Sequence, residues 1–253
     1  LTGRRHQPKA IRIIHACKEL GLETVLLHSE ADKSGMAARL ADETYNIGPA
    51  PSSESYLNIE ANMQGAIASG ADAVHPGFGF LSENADFARA CDKARLVFVG
   101  PSADAIDLFG DKISAKKLVE KIGGPLLPGY VEDDQSLETL TQMAEMIGFP
   151  IMIKATSGGG GRGLKIARNK GEMQKMLESA QREAKNAFGS AKVFLEKYLD
   201  VAKHIEVQIF GDANGRIHHL FERDCSIQRR HQKIIEEAVA PSLDRKLRAR
   251  IIA

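Results

Sequence analysis

Segments of helical period and short apolar strands take turns through the first hundred residues, and that alternation restricts the fold more than any other feature. Ala10, Ile13, Cys17 and Leu20 recur at helical spacing, and Gly21 follows where a helix end favours a left-handed residue. Residues 24–28 (Thr-Val-Leu-Leu-His) then read as a buried strand. The cycle repeats with a helix near 59–69, a stop at Gly70 and a short strand at 73–75, and again with a helix over 87–93 and a strand over 96–100. Helices alternating with short apolar strands predict an α/β layer fold, a doubly wound and mostly parallel sheet. Such a sheet normally opens with a strand. Residues 1–9 are instead polar, basic and broken by Gly3 and Pro8, so the opening strand is expected to be missing.

From 107 to 122 one further amphipathic helical stretch leads into Gly123-Gly124-Pro125, a boundary by composition. A smaller α+β unit is predicted next, with a helix over 136–147, a strand over 150–154, a glycine loop, a strand over 164–167, a helix over 172–188 and a strand over 193–198. Residues 204–210 alternate strictly, placing Ile205, Val207 and Ile209 on one face and His204, Glu206 and Gln208 on the other. Asn214-Gly215 is a strong hairpin signal, 216–222 supplies the returning strand, and 243–253 starts a helix. The expected division is therefore 1–106, a doubly wound domain; 107–126, a helical linker; 127–199, a lid carrying a glycine-rich flap; and 200–253, the beginning of a further lobe.

Lys and Arg total 34 against 33 Asp and Glu, a net charge of +1, so nothing draws the whole chain toward nucleic acid or an anionic membrane. Any anion binding must come from local clusters. No apolar run approaches spanning length and no charged-then-apolar leader opens the chain, which reads as cytoplasmic, or as mitochondrial matrix in a eukaryotic source. Cys17, Cys91 and Cys225 are widely spaced and outside any C-x-x-C pair, a pattern of reduced thiols. Cys17 and Cys91 fall among apolar helical residues and are expected to be buried and structural.

The segment richest in chemistry is Lys154-Ala155-Thr156-Ser157-Gly158-Gly159-Gly160-Gly161-Arg162-Gly163. Bare glycines let backbone approach a phosphate and turn several N–H groups toward it. Gly158, Gly160 and Gly163 formally match G-x-G-x-x-G, but that fingerprint must open a helix, and Leu164-Lys165-Ile166-Ala167 reads as a strand. A P-loop places Lys after its glycines, whereas Lys154 precedes them. What remains is a strand–glycine loop–strand flap with a lysine at its root, suited to closing over a polyphosphate. A plain surface hairpin is the alternative, at an entropic penalty that four successive glycines would not recover.

A second cluster spans residues 222–233, where Arg223, Arg229, Arg230, His231 and Lys233 suit small oxyanions, although a basic run by itself is more often a solvated face. His218, His219, Cys225 and His231 fit no usual zinc spacing, so no metal site is assigned. Glu196-Lys197-Tyr198-Leu199, at a strand end leading into a connection, is weaker still when taken alone.

Taken together these segments resemble the biotin carboxylases of acetyl-CoA, propionyl-CoA and pyruvate carboxylase systems. The matching stretches run in family order from about Ala10 to Pro241: Ala16-Cys17-Lys18-Glu19-Leu20-Gly21, Ala41-Asp42-Glu43-Thr44, Ser55-Tyr56-Leu57-Asn58, His75-Pro76-Gly77-Phe78-Gly79-Phe80-Leu81-Ser82-Glu83-Asn84, Gly110-Asp111-Lys112, the glycine hairpin, Glu196-Lys197-Tyr198-Leu199 and residues 223–237. The resemblance implies an ATP-grasp ligase that carboxylates biotin with ATP and bicarbonate through carboxyphosphate. By matching position, Lys112 and Lys154 would contact phosphates and the backbone of Gly160 and Gly161 would close over them. Glu196, Lys197, Tyr198 and Leu199 would line the adenine pocket, His204, Gln228 and His231 would approach the ribose and phosphates, and Lys233 would hold bicarbonate. Implied cofactors and partners are Mg2+ or Mn2+, biotin as acceptor, a biotin carboxyl carrier, a carboxyltransferase and further copies of the protein, with neither nucleic acid nor membrane.

Departures from the family pattern are equally specific. Residues 4–10 replace its first strand and Asn-Arg-Gly-Glu-Ile-Ala turn, Ser157 stands where many members have a fifth glycine, and Phe78 where many have Tyr. The family's metal-binding glutamates, catalytic base and bicarbonate arginine would follow residue 253, so this stretch alone is expected to be inactive. Two other readings stay open: a non-catalytic nucleotide-binding or regulatory module, and another bicarbonate-using ATP-grasp ligase such as carbamoyl-phosphate synthetase.

Overall fold

The computed structural model of the chain describes residues 7–156, 164–212, 214–229, 232–241 and 243–252, the side chains of 7, 8 and 188 apart. It divides into two units, Leu1–Gly110 and Asp111–Ala253.

The first unit runs α1 (Gln7–Glu19), β1 (Val25–His28), α2 (Met36–Leu40), β2 (Glu43–Asn46), α3 (Ile59–Ala68), β3 (Ala73–Val74), α4 (Ala85–Lys93), β4 (Val97–Phe98) and α5 (Ala103–Gly110). Gly21 and Gly70 turn the chain after α1 and α3 at φ +70° and +66°, a conformation that other residues reach only with strain. Asn58 and Asn84 cap α3 and α4, each side chain accepting from an N–H in the first turn. β1 pairs parallel with β2, and β3 with β4. The parallel arrangement predicted from the alternation is present, although the described strands form two separate two-stranded sheets. β2 escaped the sequence reading because Glu43-Thr44-Tyr45-Asn46 is an exposed edge strand with no apolar face. The expectation about the opening strand rests on residues 1–9, of which 1–6 lie outside the described residues and the rest belong to α1.

Three small apolar clusters hold this unit together. One gathers Ala10, Ile14, Leu26 and Ala37; a second, Ala66, Leu81, Phe87, Cys91 and Leu96; a third, Ala85, Ala88, Ala103 and Ile106. The ring of Phe98 packs against both the second and the third. A polar knot adjoins β1: Tyr56 donates to Asp32 at 2.6 Å and accepts from the Ser29 N–H at 2.9 Å, and burial followed by the Asp32 contact pushes the phenol above its ordinary range. Cys91 is fully buried, which drives its thiol up to about 11. Cys17, expected to be buried, is only half-buried.

The second unit contains α6 (Lys112–Lys121), β5 (Gly129–Tyr130), α7 (Leu137–Ile147), β6 (Ile151–Ala155), β7 (Lys165–Ala167), α8 (Lys170–Phe188), β8 (Val193–Lys197), β9 (Ile205–Gly211), β10 (Ile217–Arg229), β11 (Gln232–Ala238) and α9 (Arg245–Ile252). The single helix predicted over 107–122 is in fact α5 and α6. Asp111 separates them by capping α6, its carboxylate accepting from the N–H groups of Ile113 and Ser114 at 3.3 and 3.1 Å. β5, β8, β6 and β7 form an antiparallel four-stranded sheet in that order. α7 and α8 cover one of its faces, where Leu140, Ile151, Ile153, Met173 and Leu195 are fully buried. Each such side chain contributes about 1.5–3 kcal/mol.

β9, β10 and β11 form an antiparallel sheet with β10 in the centre. The returning strand expected over 216–222 continues to Arg229, so much of the basic run lies on a strand and not on a loop. A register shift between His219 and Glu222, with Phe221 at φ +61°, marks a bulge in β10.

Candidate functional site

Lys154 and Glu196 meet because of the β6–β8 register. Lys154 stands opposite Phe194 and Met152 opposite Glu196. With side chains alternating across a strand, Ile151, Ile153 and Leu195 enter the core under α7 and α8, while Lys154, Phe194 and Glu196 share the other face. The side chain of Glu196 is 9% exposed and holds two ammonium groups, Lys116 on Oε1 and Lys154 on Oε2. Both ammoniums also stand over the buried ring of Phe194, 5.4 and 5.9 Å from its centroid. Burial alone would push the Glu196 carboxyl up, but the hydrogen bonds from Lys116 and Lys154 hold it below the usual carboxylate range. Lys112, one helical turn before Lys116, sits close enough to sense this group. Desolvation first, and the Lys154 charge second, press its pKa down, against a smaller pull from Glu196. Lysines drawn around one carboxylate leave a local excess of positive charge suited to a polyphosphate.

Lys197, next along β8, is turned away. Its ammonium donates to the carbonyls of Gly148 and Phe149 at 2.7 and 2.8 Å, closing the end of α7, and its N–H donates to Pro128 O at 2.8 Å. There the Tyr198 N–H donates to Pro150 O, and Leu199 is exposed.

A second constellation forms on the polar face of β9. Glu206 stands opposite Arg223 on β10, accepts from its Nε at 2.8 Å and from its Nη2, and is also held by Lys233 on β11. His204 Nδ1 lies 2.8 Å from Gln228 Nε2, which also donates to Cys225 O at 2.9 Å. The structure thus brings together His204, Gln228, Glu206 and Lys233. Gly160, Gly161 and His231, expected at the phosphates, lie outside the described residues. Lys116 was not singled out from sequence, although the i, i+4 spacing from Lys112 signals one shared helix face. Arg223 was seen only as part of a basic run, because its partner is set by strand register.

The hydrogen bond from Lys233, the largest effect, outweighs the opposing push from burial and, with Arg223 adding to it, holds the Glu206 carboxyl at about 2, while Glu206 raises Lys233 above the ordinary lysine range. Two pH windows follow. The Glu206 contribution to stability is complete above its unfolded value near 4.5 and disappears as pH falls toward about 2. The Lys233 contribution is complete below 10.5 and disappears as pH rises through the elevated folded value. In Glu206→Gln, both sensitivities should flatten in urea unfolding followed by circular dichroism from acid to alkali. Curves parallel to the parent's at both ends would contradict the assignment.

Glu206, Cys225 and Glu236 place donor atoms within 4.8 Å of one another. Glu206 is already engaged by two cations, and burial raises the Cys225 thiol, so the group does not fit a hard divalent ion.

An antiparallel four-stranded sheet covered on one face by two helices, with lysines and a buried glutamate on the other, belongs to an ATP-grasp fold. Residues 5–106 match the family model of the biotin carboxylase N-terminal domain, and residues 111–253 that of the carbamoyl-phosphate synthase L chain ATP binding domain. The chain belongs to the biotin carboxylase family. It is 49% identical over 242 residues to the biotin carboxylase of Haemophilus influenzae, covering 94% of this chain and 54% of that protein. It superposes with TM-score 0.90 on the Campylobacter jejuni biotin carboxylase complex with beta-gamma-ATP, at 43% identity, covering 96% of this chain and 55% of the other. With the biotin carboxylase domain of Hydrogenobacter thermophilus 2-oxoglutarate carboxylase, in complex with MgADP, ADP and bicarbonate, the TM-score is 0.88 at 42% identity, covering 96% and 54%. The chain spans about half the length of each of these.

Proposed function

We propose that this chain supplies the nucleotide-binding and bicarbonate-facing parts of a biotin carboxylase, which carboxylates biotin at the expense of ATP. The observation that carries the reading is the set of Lys112, Lys116 and Lys154 gathered around Glu196 on the face of the four-stranded sheet opposite α7 and α8. Lys112 and Lys154 neutralise phosphate oxygens, Gly160 and Gly161 close over them, and Glu196 with the backbone of Lys197, Tyr198 and Leu199 receives adenine. His204, Gln228 and His231 face the ribose and phosphates. Lys233, aimed by Glu206, holds bicarbonate, whose oxygen attacks the γ-phosphorus as the bond to ADP breaks, giving carboxyphosphate. Positioning and charge neutralisation carry such a phosphoryl transfer. The CO2 released from carboxyphosphate is taken up by the biotin ureido nitrogen. A divalent cation accompanies the nucleotide, but the described residues offer no ligand set that fits it.

The same reading divides the chain into an N-terminal domain (1–106), a helical linker (107–126), a lid (127–199) and the start of the larger lobe (200–253). It makes a biotin carboxyl carrier, a carboxyltransferase and a second copy of the protein its partners. Three free cysteines suit a reducing compartment such as the cytoplasm or the mitochondrial matrix. No helix among the described residues is long and apolar enough to cross a membrane.

Calorimetric titration tests the proposal. The chain should bind ATP, and Lys154→Ala should weaken binding about tenfold or more, as expected for loss of a charge-assisted phosphate contact. Equal affinity in parent and variant would sink it.

A further inference from the structure

Glu196 holds two cations, and the two are not equivalent. Lys154 stands near the end of β6, shortly before the glycine segment in sequence, and its side chain is 31% exposed. Lys116 is carried on α6, and its side chain is 19% exposed. Each ammonium occupies its own carboxylate oxygen, with the ring of Phe194 beneath both. Under the nucleotide reading proposed above, on which this inference rests, Lys154 must exchange its carboxylate partner for phosphate oxygens. Were Lys154 the sole counter-ion, its departure would leave a carboxylate that is nine-tenths buried without compensation, and the empty site would resist opening. A second cation on the other oxygen removes that obstacle in two ways. It keeps Glu196 ionised and in place for its next partner, and its like charge loosens the grip of Glu196 on Lys154.

We infer that Lys116 is a positioning residue: it holds Glu196 so that Lys154 can leave the carboxylate for the incoming phosphate. Its work is complete before any chemistry, and it acts through Glu196 without touching the nucleotide. The same arrangement makes the Lys154–Glu196 pair a latch that Lys116 keeps weak.

Two measurements test the inference. One is the rate at which acetic anhydride acylates Lys154 in the nucleotide-free chain, followed by peptide mass spectrometry. The other is calorimetric binding of inorganic tripolyphosphate. In Lys116→Met, Lys154 should lose the cation that shares the Glu196 carboxylate with it. Its acylation should slow severalfold, and tripolyphosphate binding should weaken about tenfold. Lys116→Arg, which keeps the charge, should restore both to near the parent. Lys116→Met/Glu196→Gln should restore fast acylation, because the latch itself is gone. Lys116→Gln, checked by thermal melting, serves as the second uncharged variant if the methionine variant folds poorly. Unchanged acylation in both uncharged variants, or an arginine variant as impaired as they are, overturns the inference. The acylation arm needs no nucleotide. A parent chain that fails to bind ATP would therefore sink the functional proposal while the coupling of Lys116 to Lys154 is still judged by its own result.

Discussion

Arg248→Met is expected to destabilise the second unit by about 3 kcal/mol, because it strands a charge in a place water does not reach. Glu222, on β10, is 1% exposed. Its Oε1 accepts from Arg248 Nε at 2.5 Å, and its Oε2 has no hydrogen-bond partner among the described residues. Arg248 also donates to Ala240 O at 3.3 Å, so one guanidinium on α9 joins the end of β11 to the central strand of the sheet. Because Arg248 itself is partly exposed, with 29% of its side chain accessible, the expected loss lies at the lower end for a broken buried pair. Urea denaturation followed by circular dichroism measures it, since the chain has no tryptophan. Arg248→Met/Glu222→Met, which removes both charges at similar volume, should recover most of the loss. A single variant with the parent's midpoint would show that the pair does not anchor α9.

Phe194→Ala carries the other large effect, about 3–5 kcal/mol, the usual range for truncating a buried aromatic ring. Phe194 is 2% exposed and is among the largest fully buried side chains of the chain. The substitution would remove the floor under Lys116 and Lys154 as well as the packing. Phe194→Leu separates these roles: it retains most of the buried volume and should cost about 1.5 kcal/mol or less. It still removes the π-face beneath both ammoniums, which is worth about 0.5–2 kcal/mol. Thermal melting reports the first quantity and ATP affinity the second. An alanine variant that melts with the parent would contradict the packing described for this face.

Much of this architecture was legible in the sequence because its signals are local. Helical spacing with a following glycine located α1 and α3, and the strand-like run of residues 164–167 placed β7, which pairs with β6 as the flap reading requires. Elements without an amphipathic face gave no such signal. β2 is a polar edge strand, β5 has two residues, and β11 is exposed along its whole length, so no period of two stands out in it. The site divides in the same way. Lys154 and Glu196 could be picked out by their neighbours in sequence. That they touch depends on the offset between β6 and β8, and that Arg223 meets Glu206 depends on the pairing of β9 with β10, neither of which is written in local composition. Lys197 shows the reverse: adjacent to Glu196 in sequence, it serves the end of α7 because successive residues of a strand point to opposite sides.

The position of Phe98 in the first unit has a consequence for how that unit can vary. One aromatic ring is the mortar between two clusters, one built mainly of alanines and the other mainly of larger side chains. Small losses inside either cluster stay within it, whereas a change at Phe98 is felt in both. Gly100 adds to this rigidity, since a Cβ there would stand 2.6 Å from the Phe98 ring. Drift within one cluster can therefore be absorbed locally, but a side chain at position 100 can enter only if the Phe98 ring gives way.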